Sequence, residues 1–198
     1  MVGDMLIKRG NGHKKTQTFL SDVKELRKRA QASLERGAVT SSYGLDPRAV
    51  VDVLQNALAT EIVCVLRYTA NAAAAAGINS SEVKAEFEQH AADETEHMKK
   101  LAGRISDLGG VPDMNPEGLL TRSHTEYSKS GDLVDMIKEN LIAERIAVES
   151  YTEMVRYFGD ADPTTRVLLE GILAQEEEHA SDMHDLLVAR EGRPMLRK

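Results

Sequence analysis

The sequence predicts an all-α fold: an antiparallel four-helix bundle with one long crossover, preceded by a short N-terminal amphipathic helix. Three observations carry this. Ala, Leu, Glu and Lys/Arg dominate the 198 residues, whereas Gly (14), Pro (5) and aromatics (five Tyr, three Phe, no Trp) are scarce, a mix that favours helices. Four long segments are each bracketed by start and stop signals. The connections inside the first and second pairs are short, and the one between the pairs is long.

The first long segment begins at Asp46-Pro47, a capping residue followed by proline at the first helical position, and stops at Gly77. The second follows Asn79-Ser80-Ser81-Glu82 and ends at Gly109-Gly110, with Pro112 beyond. The third begins near Asp132 and ends at Gly159; the fourth opens with Asp162-Pro163 and ends by Gly192. Each spans roughly 28–30 residues, or about 40–45 Å. The middle connection, residues 110–131, is polar and long enough to cross the bundle from end to end. Residues 1–45 form a separate extension, 46–192 the bundle and 193–198 a short tail. In the extension Phe19, Val23, Leu26, Ala30 and Leu34 recur at three- and four-residue steps, which predicts a short amphipathic helix with polar, mobile flanks.

Charge is unevenly spread. Residues 1–36 carry nine Lys/Arg against four acids, a net of +5, so the remainder of a chain of net charge −7 sums to −12. A single cysteine, Cys64, excludes an internal disulfide and a four-cysteine metal site within one chain. The most apolar stretch, residues 70–78, is short of the roughly 20 residues a membrane span needs. A soluble cytoplasmic protein without a membrane partner is expected.

The apolar stripes hold the informative residues. Taken in alternating steps of three and four, the four stripes are Leu54, Leu58, Glu61, Val65, Tyr68; then Phe87, His90, Glu94, His97, Leu101; then Ile137, Leu141, Glu144, Val148, Tyr151; then Leu169, Ile172, Glu176, His179, Met183. Each is interrupted near its middle by a glutamate, and on the second and fourth a histidine follows three residues later, on the same face. Isolated buried carboxylates are costly and protonate instead. No Lys or Arg lies on these stripes, so an outside cation must balance them. Four carboxylates match two divalent ions, and oxygen and imidazole donors suit iron or manganese, with zinc as another occupant.

The two halves repeat. Glu61 and Glu144 are each followed seven residues later by a tyrosine, Tyr68 and Tyr151; Glu94-x-x-His97 parallels Glu176-x-x-His179; and the spacings Glu61–Glu94 and Glu144–Glu176 are 33 and 32 residues. One Glu-x-x-His is a weak motif; two of them, each at matching distance from a stripe glutamate, are specific.

On these residues the chain resembles the ferritin-like di-iron superfamily, and within it the bacterioferritins and the Dps-like (starvation-protection) ferritins, over residues 46–190. The resemblance implies Glu61 and Glu144 as terminal ligands, Glu94 and Glu176 as bridging ligands, and His97 and His179 as one ligand to each of two iron ions. It implies oxidation of Fe²⁺ by O₂ or H₂O₂ and storage of Fe³⁺ in a hollow homo-oligomeric shell. Tyr68 falls where bacterioferritins place a tyrosine beside the iron pair, as an electron donor or hydrogen-bond partner. Thr95 stands where bacterioferritins carry their haem methionine, so no haem is expected. The chain ends 19 residues after His179, little room for a fifth helix. Together with the basic extension this favours 12 subunits over 24. The cysteine pair that Dps-like proteins with an in-bundle site often carry is absent, since Cys64 stands alone. A rubrerythrin-type oxidase would need a four-cysteine iron centre.

Other residues have plainer readings. Tyr151 is expected as a core tyrosine, His90 as a satisfied core or interface histidine, and Cys64 as a small buried hydrophobe. His13, His124 and His184 read as surface groups, Glu96, Glu177 and Glu178 as a solvated face, and the alanines at 72–76 as a close-packing surface. The basic arm either binds DNA phosphates or docks on the acidic body of a neighbouring subunit.

Overall fold

A computed structural model describes residues 22–77, 80–128 and 131–192, and every regular element among them is helical. The helices are α1 (Val23–Gln31), α2 (Pro47–Ala74), α3 (Ser80–Asp107), α4 (Leu119–Arg122), α5 (Leu133–Phe158) and α6 (Pro163–Glu191). Phe19, His13 and the 193–198 tail lie outside the described residues.

Local chemistry fixes the ends of the long helices. Asp46 accepts from the Arg48 backbone N–H at the start of α2, Asp132 from Val134 N–H at the start of α5, and Asp162 from Thr165 N–H at the start of α6. Pro47 and Pro163 occupy first-turn positions. α2 stops at Ala74, three residues short of Gly77. The alanine run therefore does not pack as expected: Ala72 is buried, while Ala73, Ala74 and Ala76 are exposed. At the end of α3, Gly110 lies so close to α2 that a Cβ would sit 2.8 Å from Val51 Cγ1, which only glycine avoids.

α2 packs on α3 and α5 on α6, and the hairpins join through α2–α5 and α3–α6 contacts. The crossover is anchored rather than merely polar. Its short α4 buries Leu119 against Ala59 and Val63, and Thr60 Oγ1 accepts from His124 N–H at 2.9 Å. Arg67, buried on α2, donates to Asn140 Oδ1 of α5 and to the Glu126 carbonyl. It lies off the apolar stripe and holds the crossover rather than pairing with a carboxylate.

Two apolar layers fill the bundle. One holds Leu54, Leu58, Leu101, Ile105, Tyr151, Phe158, Leu169 and Ile172; the other holds Tyr68, Val83, Phe87, Met136, Ile137 and Met183. The stripe glutamates lie between them in sequence and in space. Residues 39–45 depart from the expected mobile flank: Val39 is buried in the first layer, Tyr43 and Leu45 pack on it, and Tyr43 donates to Asp162 Oδ2 at 2.6 Å. α1 buries none of its residues against the bundle. A further expectation is corrected on α2, which by length and composition is apolar enough to cross a membrane. Half of its most apolar window is buried inside the bundle, and its buried residues include Glu61, Arg67 and Asn71.

Candidate metal centre

The structure brings all six stripe residues into one buried layer. Glu61, Glu94, Glu144 and Glu176 are each at most 1% exposed, His97 is 0% and His179 3% exposed. Their donor atoms form two overlapping groups: Glu61, Glu94, His97 and Glu176, and Glu94, Glu144, Glu176 and His179, with the atoms of each group within 4.8 Å of one another. Glu94 and Glu176 belong to both. Each group therefore has one glutamate and one histidine of its own and shares two glutamates.

In the first group His97 Nδ1 lies 3.3 Å from Glu61 Oε2, 3.2 Å from Glu94 Oε2 and 3.0 Å from Glu176 Oε1. In the second, His179 Nδ1 lies 3.5 Å from Glu94 Oε1 and 3.9 Å from Glu144 Oε2 and Glu176 Oε2. Both imidazoles turn Nδ1 inward, and each is steadied from behind by the residue before the other helix's glutamate. His97 Nε2 meets Gln175 Oε1 at 3.0 Å, and His179 Nε2 meets Asp93 Oδ2 at 3.5 Å.

The tyrosines cross over between halves. Tyr68 of α2 donates to Glu144 Oε1 of α5, and Tyr151 of α5 donates to Glu61 Oε1 of α2. Each carboxylate is thus held by one oxygen and aims the other at the centre. Tyr151, expected only as a core residue, is the counterpart of Tyr68. The Glu–Tyr spacing of seven in both halves was the signal for it.

The centre is short of positive charge. Burial, then the charge of Glu94, raises Glu61 well above its ordinary range; burial and the charges of Glu94 and Glu61 do the same to Glu176, and burial and Glu94 raise Glu144. Burial would also raise Glu94, but its close contacts with Glu61, His179 and His97 outweigh it and hold Glu94 low. Burial would lower His97, yet contacts with Glu176, Glu61 and Glu94 raise it. Glu61 Oε2, Glu94 Oε1, Glu144 Oε2, Glu176 Oε1 and His179 Nδ1 are buried without a hydrogen-bond partner. Unpartnered acceptors converging from four helices are what divalent cations would satisfy, and the oxygen and imidazole donors fit iron. Cys64 is buried beside Thr125 and Arg67, outside both groups.

The remaining expectations divide. His124, His184, Glu96, Glu177 and Glu178 are exposed, as read from the sequence. His90 is buried but not satisfied: Nδ1 lies 3.1 Å from the Tyr68 hydroxyl, while Nε2 has no hydrogen-bond partner. Its signal was Glu86, one helical turn earlier.

Known proteins share this frame. A family model described as the ferritin-like domain matches residues 51–191. The chain is 30% identical over 150 residues to the DNA protection during starvation protein of Pyrococcus furiosus, covering 74% of this chain and 81% of the relative. It is 27% identical over 132 residues to the bacterioferritin of Desulfovibrio desulfuricans, covering 66% and 69%. The bacterioferritin-related protein of Bacteroides fragilis, a dodecameric thioferritin, superposes with a TM-score of 0.72 at 31% identity, covering 88% of this chain and 99% of that one. The chain thus has both sequence and structural kin, and it belongs to the ferritin-like di-iron superfamily.

Proposed function

We propose that this protein is a ferroxidase of an iron-storing shell, with Glu61, Glu94, His97, Glu144, Glu176 and His179 binding a pair of Fe²⁺ ions. The observation that carries this is the pair of donor groups sharing Glu94 and Glu176, with unpartnered oxygens turned inward. Iron storage or DNA protection is the business of the named relatives, and ferritin-like di-iron proteins generally oxidise Fe²⁺.

Bound as substrate, the paired Fe²⁺ ions supply the electrons that O₂ or H₂O₂ accepts, and Fe³⁺ leaves for storage. The protein's own residues set the conditions. Glu94 and Glu176 hold both ions at one spacing. Glu61 and His97 complete one position, Glu144 and His179 the other. Tyr68 and Tyr151 fix the outer carboxylates, and the apolar layers above and below keep bulk water out. Tyr68 is placed to pass an electron or to orient Glu144. The donor set accepts manganese or zinc as well.

The shell reading draws on the Bacteroides fragilis relative, a dodecamer, and on apolar surface one chain leaves uncovered: Leu66, Ile142, and Val23 and Leu26 of α1. We favour 12 subunits over 24, in the cytoplasm. DNA contact is a second reading, supported by Lys24, Arg27 and Lys28 exposed on α1. A salt-dependent gel shift that disappears on deleting residues 1–45 supports it; salt-insensitive or absent binding removes it. For the main reading, Fe²⁺ oxidation is followed by ferric absorbance in the parent, Glu94→Ala and His179→Ala proteins. Loss of the fast phase in both variants supports the assignment; oxidation at the parental rate contradicts it.

A further inference from the structure

Beyond the centre, one buried histidine is unaccounted for. His90 is 1% exposed and its Nε2 has no hydrogen-bond partner. That nitrogen points out of the bundle at two carboxylates, 3.2 Å from Glu86 Oε1 on α3 and 3.5 Å from Asp182 Oδ2 on α6. Both carboxylates are part-exposed, with side chains 34% and 42% accessible. No lysine or arginine among the described residues comes within ion-pair distance of either.

Proton accounting shows what is missing. The Tyr68 hydroxyl gives its proton to Glu144, so its oxygen accepts, and the proton in the 3.1 Å contact belongs to His90 Nδ1. Nε2, left without a hydrogen-bond partner, converges with the two carboxylates, and the three residues bring donor atoms within 4.8 Å of one another.

We propose that Glu86, His90 and Asp182 form a separate divalent-cation site on the α3–α6 face, and that it stages Fe²⁺ for the centre. Carboxylate and imidazole donors suit a first-row divalent ion, and part-exposure lets it arrive still partly hydrated. The route inward is short. His90 stacks on His179 with ring centroids 4.0 Å apart, and His90, His179 and Glu144 themselves bring donor atoms within 4.8 Å of one another. The other half has no such site: at the positions matching Glu86, His90 and Asp182 it carries Leu168, Ile172 and Lys100. Asymmetry of this kind marks an added element rather than part of the paired centre. The staging role rests on the iron-oxidising reading; the cation site does not.

Zn²⁺-soaked crystals of the full chain, measured by anomalous diffraction at the zinc edge, test the site. A peak among Glu86 Oε1, His90 Nε2 and Asp182 Oδ2, lost in Glu86→Gln/Asp182→Asn while the central peaks persist, supports it. Central peaks with none here overturn the site and leave the ferroxidase reading standing. A peak here with none at the centre upholds the site and overturns that reading. For staging, the same double variant is expected to raise the Fe²⁺ concentration at half-maximal oxidation rate about tenfold. An unchanged half-saturation overturns staging.

Discussion

The α2–α3 and α5–α6 halves are built alike where metal chemistry requires it and differ beside it. Glu61, Tyr68, Glu94 and His97 match Glu144, Tyr151, Glu176 and His179 in spacing. Even the supports behind the imidazoles correspond, Asp93 for Gln175. Beside that set, Tyr151 shares its apolar layer with Ile172, whereas Tyr68, in the other layer, touches His90 and, through it, Glu86 and Asp182. A pair of equivalent ions demands symmetric ligands. It does not demand symmetric access, and the first half carries His90 where the second carries Ile172.

The shared glutamates give the largest test of the symmetry. Glu94→Ala or Glu176→Ala removes a donor from both groups and should slow the fast phase of Fe²⁺ oxidation about a hundredfold or more in stopped-flow absorbance. Glu61→Ala and Glu144→Ala each strip one position and should leave one ion bound, as metal counting by native mass spectrometry would show. If shared and unshared glutamates behave alike in metal count, the overlapping-group description fails.

Stability should report the same charge imbalance. In the metal-free protein Glu61, Glu144 and Glu176 are raised above their ordinary range, so the folded state holds protons that the unfolded chain has released by about pH 5. Stability therefore falls as pH rises from there. His97 and His179, also raised, act in the same direction: their contribution is complete below the ordinary histidine range and lost as pH climbs through the folded value. Among the six central residues Glu94, held low, runs the other way at lower pH, and beside them His90, pushed down by burial and the charge of His179, does so only up to its ordinary histidine range. Thermal melts of metal-free protein should drop between about pH 5 and pH 8. Metal at a hundredfold excess over Kd should restore about 3 kcal/mol per ion.

The tyrosines compare the halves directly. Tyr68→Phe and Tyr151→Phe each free one outer carboxylate and should slow oxidation about tenfold. Tyr68→Phe also strips His90 of its partner and should be the more severe; equal effects would mean that the polar outlet has no part in the reaction.

The smallest effects come at the ends of the two hairpins. Gly110→Ala forces a Cβ against the stiff Val51 and Ile105 side chains and should cost about 1–3 kcal/mol in denaturant unfolding. Gly192→Ala meets open space but a φ of +67°, and should cost about 1 kcal/mol.

The long helices were legible because Asp46, Asp132 and Asp162 cap them and glycines end them. The six central residues were legible because an internal repeat and a helical period coincide on them. What escaped was whatever depends on contacts between distant segments. Arg67 lies off the stripe and gains its meaning from Asn140 and the Glu126 carbonyl. Residues 39–45 look polar until Tyr43 meets Asp162. The apolarity of α2 was underrated because the longest apolar run stops at short range, while a wider window spreads across its buried face. The surroundings of His90 are not legible in the sequence because Asp182, which faces its Nε2, comes from the other end of the chain.

The most direct test is iron-edge anomalous diffraction from crystals soaked anaerobically in Fe²⁺. Both ions should appear flanking Glu94 and Glu176, one beside His97 Nδ1 and the other beside His179 Nδ1. An empty bundle interior, with these carboxylates protonated and bonded to one another, would contradict it.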